Sequence, residues 1–93
     1  MHPGYVLFIQ MCSIFWKDPK NKTIKQKLLS LHEKYQFLGI CASLWRFMPL
    51  PARQRWFTEA YAPKINQSEL IIEITTLANI TISALSRKGQ LGF

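Results

Sequence analysis

Acidic residues are scarce. Five Asp and Glu stand against twelve Lys and Arg in 93 residues, a formal charge of +7. An excess of that size favours an anionic partner, nucleic acid first and an acidic protein or membrane surface second, and leaves the fold undetermined. Cysteine is also sparse. Cys12 and Cys41 are the only two, which excludes a disulfide-dense secreted scaffold. With His2 and His32 they form no C-x-x-C or H-x-x-x-H spacing, so no metal site and no cofactor is expected. Two buried thiols are the expected outcome, because free cysteine packs as a small hydrophobe.

Charge-free runs are short. Tyr5–Trp16 has twelve residues, whereas a spanning helix needs roughly 20. Met1-His-Pro-Gly lacks the basic start of a signal peptide. The expectation is therefore a cytoplasmic chain with no transmembrane segment, in which the N-x-S/T triplets at Asn21, Asn66 and Asn79 occur by chance. Nucleotide and nucleophile signatures are missing too: there is no Walker loop, dinucleotide fingerprint or G-x-S-x-G. His32 and Glu33 are sequence neighbours on a helix and point different ways, a poor geometry for a catalytic dyad. An enzyme is not expected.

What remains is a globular composition, 48% hydrophobic and 18% charged, of a length that suits one domain over residues 1–93. There is no repeat and no low-complexity tract; prolines and glycines punctuate at Pro3-Gly4, Asp18-Pro19, Pro49-Leu50-Pro51, Pro63 and Gly89. Between these breaks the apolar spacing is helical. Tyr5, Phe8, Ile9, Cys12 and Trp16 share one face. Lys17 to Lys27 form a solvated basic turn. Thr23 caps a second helix with Ile24, Leu28, Leu31, Tyr35 and Leu38 inward, and Gly39 bends or ends it. Ile40 to Met48 continue the apolar pattern. Pro51 suits the first turn of a further helix that buries Trp56, Phe57, Ala60 and Tyr61 and ends at Pro63.

The segment from Asn66 to Gly89 has the layout of a helix-turn-helix. Asn66 or Ser68 starts a helix with Leu70, Ile71 and Ile74 inward, Leu77-Ala78-Asn79 forms the turn, and Asn79 or Thr81 caps a last helix with Ile82 and Leu85 inward. The β-branched stretch Ile71–Ile82 has a competing reading as a short hairpin centred on the same turn; the three-and-four spacing of the apolar residues favours helices. The expected fold is all-α, a small bundle of five or six short helices: N-terminal helices in residues 1–48 as an assembly surface, a linking helix at 51–62, and the helix-turn-helix at 66–89. The second helix of that motif would present Thr81, Ser83, Ala84, Ser86, Arg87 and Lys88 to a major groove. Gln67, Ser68 and Asn79 join this DNA-binding set, with Arg53, Arg55 and Lys64 as phosphate contacts.

Gln67-Ser-Glu-Leu followed by Ile80-Thr-Ile-Ser resembles the Trp-repressor type of helix-turn-helix. Tyr35-Gln-Phe-Leu and Arg53–Tyr61 resemble the segments that precede the motif in the adhesin-biosynthesis regulators of bacteria. The likeness spans about residues 35–88. It implies a transcription regulator that binds double-stranded DNA through the second helix, and carries no effector with it.

Seven basic residues lie outside the motif, at Lys17, Lys20, Lys22, Lys25, Lys27, Lys34 and Arg46, where they flank a duplex or keep an apolar chain soluble. Three Trp, six Phe and three Tyr fill a core or a dimer seam, and so heavy an aromatic load in so short a chain suggests a homodimer or oligomer built on the first two helices. The alternative is a small basic structural subunit of a large assembly, ribosomal or respiratory. A third is an interaction protein that docks through the Tyr5–Trp16 face.

Overall fold

Proline and its neighbours set most of the helix boundaries in the computed structural model, which describes residues 2–90, with side chains through Arg87. Pro3 opens α1 (Pro3–Lys17) in the position where its missing N–H costs nothing. The Tyr5 N–H donates to His2 Nδ1 at 3.3 Å, closing that end. Asp18 is extended ahead of Pro19, as a residue before proline prefers. Its carboxylate accepts from the Lys20 N–H at 3.0 Å and caps a single 3-10 turn, Pro19–Asn21. α2 (Lys22–Leu31) follows directly, and α3 (Phe37–Phe47) ends where Met48 turns extended before Pro49. Pro51 sits in the first turn of α4 (Leu50–Glu59). α5 (Gln67–Gln90) is the longest, 24 residues or about 36 Å.

The fold is all-α, with five α-helices and no strand among the described residues. The hairpin reading of Ile71–Ile82 is thereby set aside. α1 lies at the centre, packed on α3, α4 and α5, while α2 packs on α5. The core joins Leu7, Phe8, Met11 and Phe15 of α1, Ile40 and Leu44 of α3, Trp56 of α4, and Leu70, Ile74, Leu77 and Ala78 of α5. Phe8 meets Trp56 edge to face, ring centres 5.1 Å apart, the arrangement that the ring quadrupoles favour. The apolar face of α1 is the hub of the chain's own core.

The second expected helix breaks in two. His32 ends α2: its backbone N–H donates to the Leu28 carbonyl at 3.0 Å, and its ring Nδ1 lies 2.8 Å from the same oxygen. A carbonyl only accepts, so Nδ1 carries the proton. Nε2 then faces Ser43 Oγ on α3 at 2.9 Å. The buried ring thus ties α2 to α3. Beyond it, Tyr35 and Leu38 are exposed, and so is Leu31; the shared inward face read from their spacing does not extend past Leu28. Gly39 lies inside α3 rather than ending a helix. Thr23 is not the cap of α2, which starts one residue earlier after Asn21; the Asn21 amide donates to the Phe15 carbonyl at 3.0 Å. α4 stops at Glu59, four residues short of Pro63, and of its expected inward residues only Trp56 is fully buried; Phe57 and Tyr61 are exposed. His32→Ala should cost about 1–2 kcal/mol by deleting both ring contacts and leaving Ser43 unpaired, read as a lower urea midpoint with an unchanged slope.

The expected turn at Leu77-Ala78-Asn79 is helical, and α5 runs through it unbroken. Leu70, Ile74, Leu77, Ala78 and Thr81 are all buried, a spacing of i, i+4, i+7, i+8 and i+11 that belongs to one straight helix. Ending the helix at Leu77 would expose Ala78 and Thr81, which are 0% exposed. The threonines among the β-branched residues are accommodated through their hydroxyls. Thr75, Thr76 and Thr81 donate to the carbonyls of Ile71, Ile72 and Leu77, each four residues back, at 3.0, 3.1 and 2.9 Å.

Candidate nucleic-acid interface

A single long helix redistributes the expected contact residues. Asn66 caps α5, its Oδ1 accepting from the Glu69 N–H at 3.2 Å. Gln67 and Ser68 are exposed in the first turn and share a surface depression with Lys64, Ile65 and Asn66. Asn79, Ser83, Ala84 and Arg87 lie more than three turns further on, and with Ile80 line a second depression. From Gln67 to Arg87 the helix rises about 30 Å, so the two groups form separate ends rather than one reading head.

Thr81 is turned away from any groove, and two of the expected phosphate contacts are engaged within the fold. Thr81 faces the core and donates to the Leu77 carbonyl, so it offers nothing to a groove. Arg55 spans two carboxylates of α5, Nη2 to Glu69 Oε1 and Nη1 to Glu73 Oε2, both at 3.0 Å; a phosphate would have to displace them. Arg53 donates from Nε to the Met48 carbonyl at 3.0 Å, closing the α3–α4 corner. Lys64 is exposed beside the start of α5. The Lys88 side chain lies outside the described residues.

The sequence pattern did not single out what α2 adds. Lys27, Ser30 and Leu31 of α2 share a depression with Ile82 and Ser86 of α5. One lysine of the basic segment, Lys27, therefore borders the C-terminal half of α5. The signal for this lay in the α2 pattern, since Leu28 turned inward places Lys27 on the shoulder of whatever helix it packs against. From Ile74 to Ser86, α5 carries no charged side chain. Its two acids, Glu69 and Glu73, sit in the N-terminal half and are matched by Arg55. Lys25 rests its ammonium over the Trp16 ring, 5.2 Å from the centre, which holds one lysine of the segment against the body of the protein.

Two features of α5 follow from its apolarity. Gln67–Arg87 is long and apolar enough to cross a membrane by length and composition, although a membrane-spanning run was not expected anywhere; in this fold the same residues supply a face of the core. Ile72 and Ile80 stand 66% and 55% exposed on its outer side. No group of three or more metal-binding side chains occurs among the described residues. No family model, no curated protein and no solved structure matches this chain, so the likeness of its C-terminal segment to bacterial regulators rests on the residues that carry it.

Proposed function

We propose that the protein binds double-stranded DNA through the C-terminal half of α5 and the lysines of α2, as a regulator that reads the major groove with one continuous helix. The observation that carries this reading is the shared depression of Lys27 and Ser30 with Ser86, beside the exposed Asn79, Ser83 and Arg87. A major groove about 12 Å wide admits one α-helix, whose short polar side chains meet base edges while flanking cations meet phosphates. Small side chains at Ser83, Ala84 and Ser86 permit close approach. The proposal keeps the groove-reading role and drops the short paired helices of a helix-turn-helix.

Fluorescence anisotropy with labelled duplex DNA at several salt concentrations tests it. Affinity should fall steeply as salt rises, because phosphate neutralisation releases counterions. Arg87→Ala and Lys27→Ala should each weaken binding and flatten the salt slope by roughly one ion. Ser83→Ala should change sequence preference more than affinity. Thr81→Val, a buried change, should leave binding as it is. A folded chain indifferent to duplex DNA at low salt defeats the reading.

One observation favours a second reading. Ile72 and Ile80 are exposed with Thr76 between them on the outer side of α5, which suits burial against another protein in a larger assembly. A chain that ignores DNA and is insoluble on its own meets that reading instead.

A further inference from the structure

Cys12 on α1 and Cys41 on α3 are both free and buried, 2% and 1% exposed. The register of the two helices sets them face to face. The Trp16 ring of α1 meets Phe37 of α3 with centres 5.5 Å apart, and Phe8 meets Trp45 at 5.2 Å. Rising number on one helix thus pairs with falling number on the other, and α1 and α3 run antiparallel. Cys12 is four residues from both Phe8 and Trp16, and Cys41 is four from both Phe37 and Trp45. Four residues is about one turn, so each cysteine stands midway between two ring contacts, on the face that makes them. The Cys41 thiol beside it, together with burial, pushes the Cys12 thiol well above its ordinary value.

We propose that Cys12 and Cys41 form a dithiol site that a small disulfide oxidant, such as glutathione disulfide, converts into an intramolecular disulfide joining α1 to α3. One cysteine loses its proton and attacks a sulfur of the oxidant, and one glutathione leaves as the thiol. The second cysteine then attacks the mixed disulfide at the first cysteine's sulfur and releases the second glutathione. The two thiols give up two protons and two electrons, which one glutathione disulfide takes up to become two glutathione thiols. Burial makes the first attack wait on opening of the α1–α3 seam. Closure fixes two positions 29 apart in sequence, which restricts the unfolded chain and stabilises the fold.

The test is equilibration of the folded, full chain with glutathione disulfide, followed by alkylation, peptide mass spectrometry and thermal melting. The expected product is a monomeric chain two hydrogens lighter, with the Cys12 and Cys41 peptides linked. Its Tm should exceed that of the reduced chain by on the order of 10 °C, and dithiothreitol should reverse the gain. A stable glutathione adduct on either cysteine, disulfide-linked dimers, or a linked product with a lowered Tm overturns the proposal. So does a chain that stays reduced until denaturant is added.

Discussion

Replacing Trp56 with Ala is expected to remove about 3–5 kcal/mol of stability, a large share of the roughly 5–15 kcal/mol that a domain of this size holds. The indole is fully buried where α4 meets α1, with Phe8 edge-on at 5.1 Å. No other α4 side chain is fully buried, so the substitution detaches a helix as well as opening a cavity. The ring also has a polar tether, Nε1–H donating to Glu73 Oε1 of α5 at 3.2 Å. Trp56→Phe separates the two contributions. It keeps most of the volume and deletes the N–H, and should cost about 1–2 kcal/mol. The ion pairs of Arg55 beside it are half open to solvent and contribute under about 1 kcal/mol, so Arg55→Ala is a fair control for the polar surroundings. Urea unfolding followed by circular dichroism measures all three. A Trp56→Ala chain that unfolds within about 1 kcal/mol of the parent would place the weight of the α1–α4 seam elsewhere.

Helix class and most starts were legible in the sequence because proline acts locally. Pro3, Pro19 and Pro51 each fix a φ angle and remove a donor, and no tertiary contact is needed to read their effect. The same holds for Asn66, whose side chain reaches only to Glu69. The face of α1 was legible too, since Phe8 and Cys12 repeat at the helical period and are buried.

Two features were not legible, for different reasons. The end of α2 at His32 depends on a partner far along the chain, Ser43; apolar spacing alone carries Ile24 through to Leu38 and misses the break. In α5 the periodicity itself is continuous from Leu70 through Thr81. What misled was residue type. Thr81 looks like a surface residue, yet a hydroxyl that donates to the carbonyl one turn back can be buried without an unmet bond. The candidate site inherits that difference. Asn79, Ser83 and Arg87 stay on an outer surface whichever way the segment is divided, whereas Thr81 changes sides. The contribution of α2 to that surface is a tertiary fact, set by Leu28 entering the core.

Glycine gives the sharpest contrast between two identical substitutions. A Cβ added to Gly4 would stand 2.7 Å from the Phe57 backbone nitrogen and 2.9 Å from its Cα. Those atoms sit inside α4 and cannot turn away, so α1 and α4 must part at the place where His2 and Phe8 pack on Phe57 and Trp56. Overpacking of this kind costs about 1–3 kcal/mol and sometimes more. Against it stands the better helix propensity of alanine, at most about 1 kcal/mol. Gly4→Ala should therefore lose about 2 kcal/mol, and Gly4→Val, which adds bulk and little propensity, about 3 or more. At Gly39 the added Cβ would meet the Tyr35 side chain, 3.0 Å from its Cβ. Tyr35 is 51% exposed and lies in the connection between α2 and α3, so a shift of a few tenths of an ångström relieves the contact. There the propensity gain survives, and Gly39→Ala should be neutral or stabilise by up to about 0.5 kcal/mol. Parallel melting curves decide the matter: equal Tm changes for Gly4→Ala and Gly39→Ala would mean that the α1–α4 crossing has slack, while a drop on the order of 10 °C for Gly4→Ala alone is the expected result.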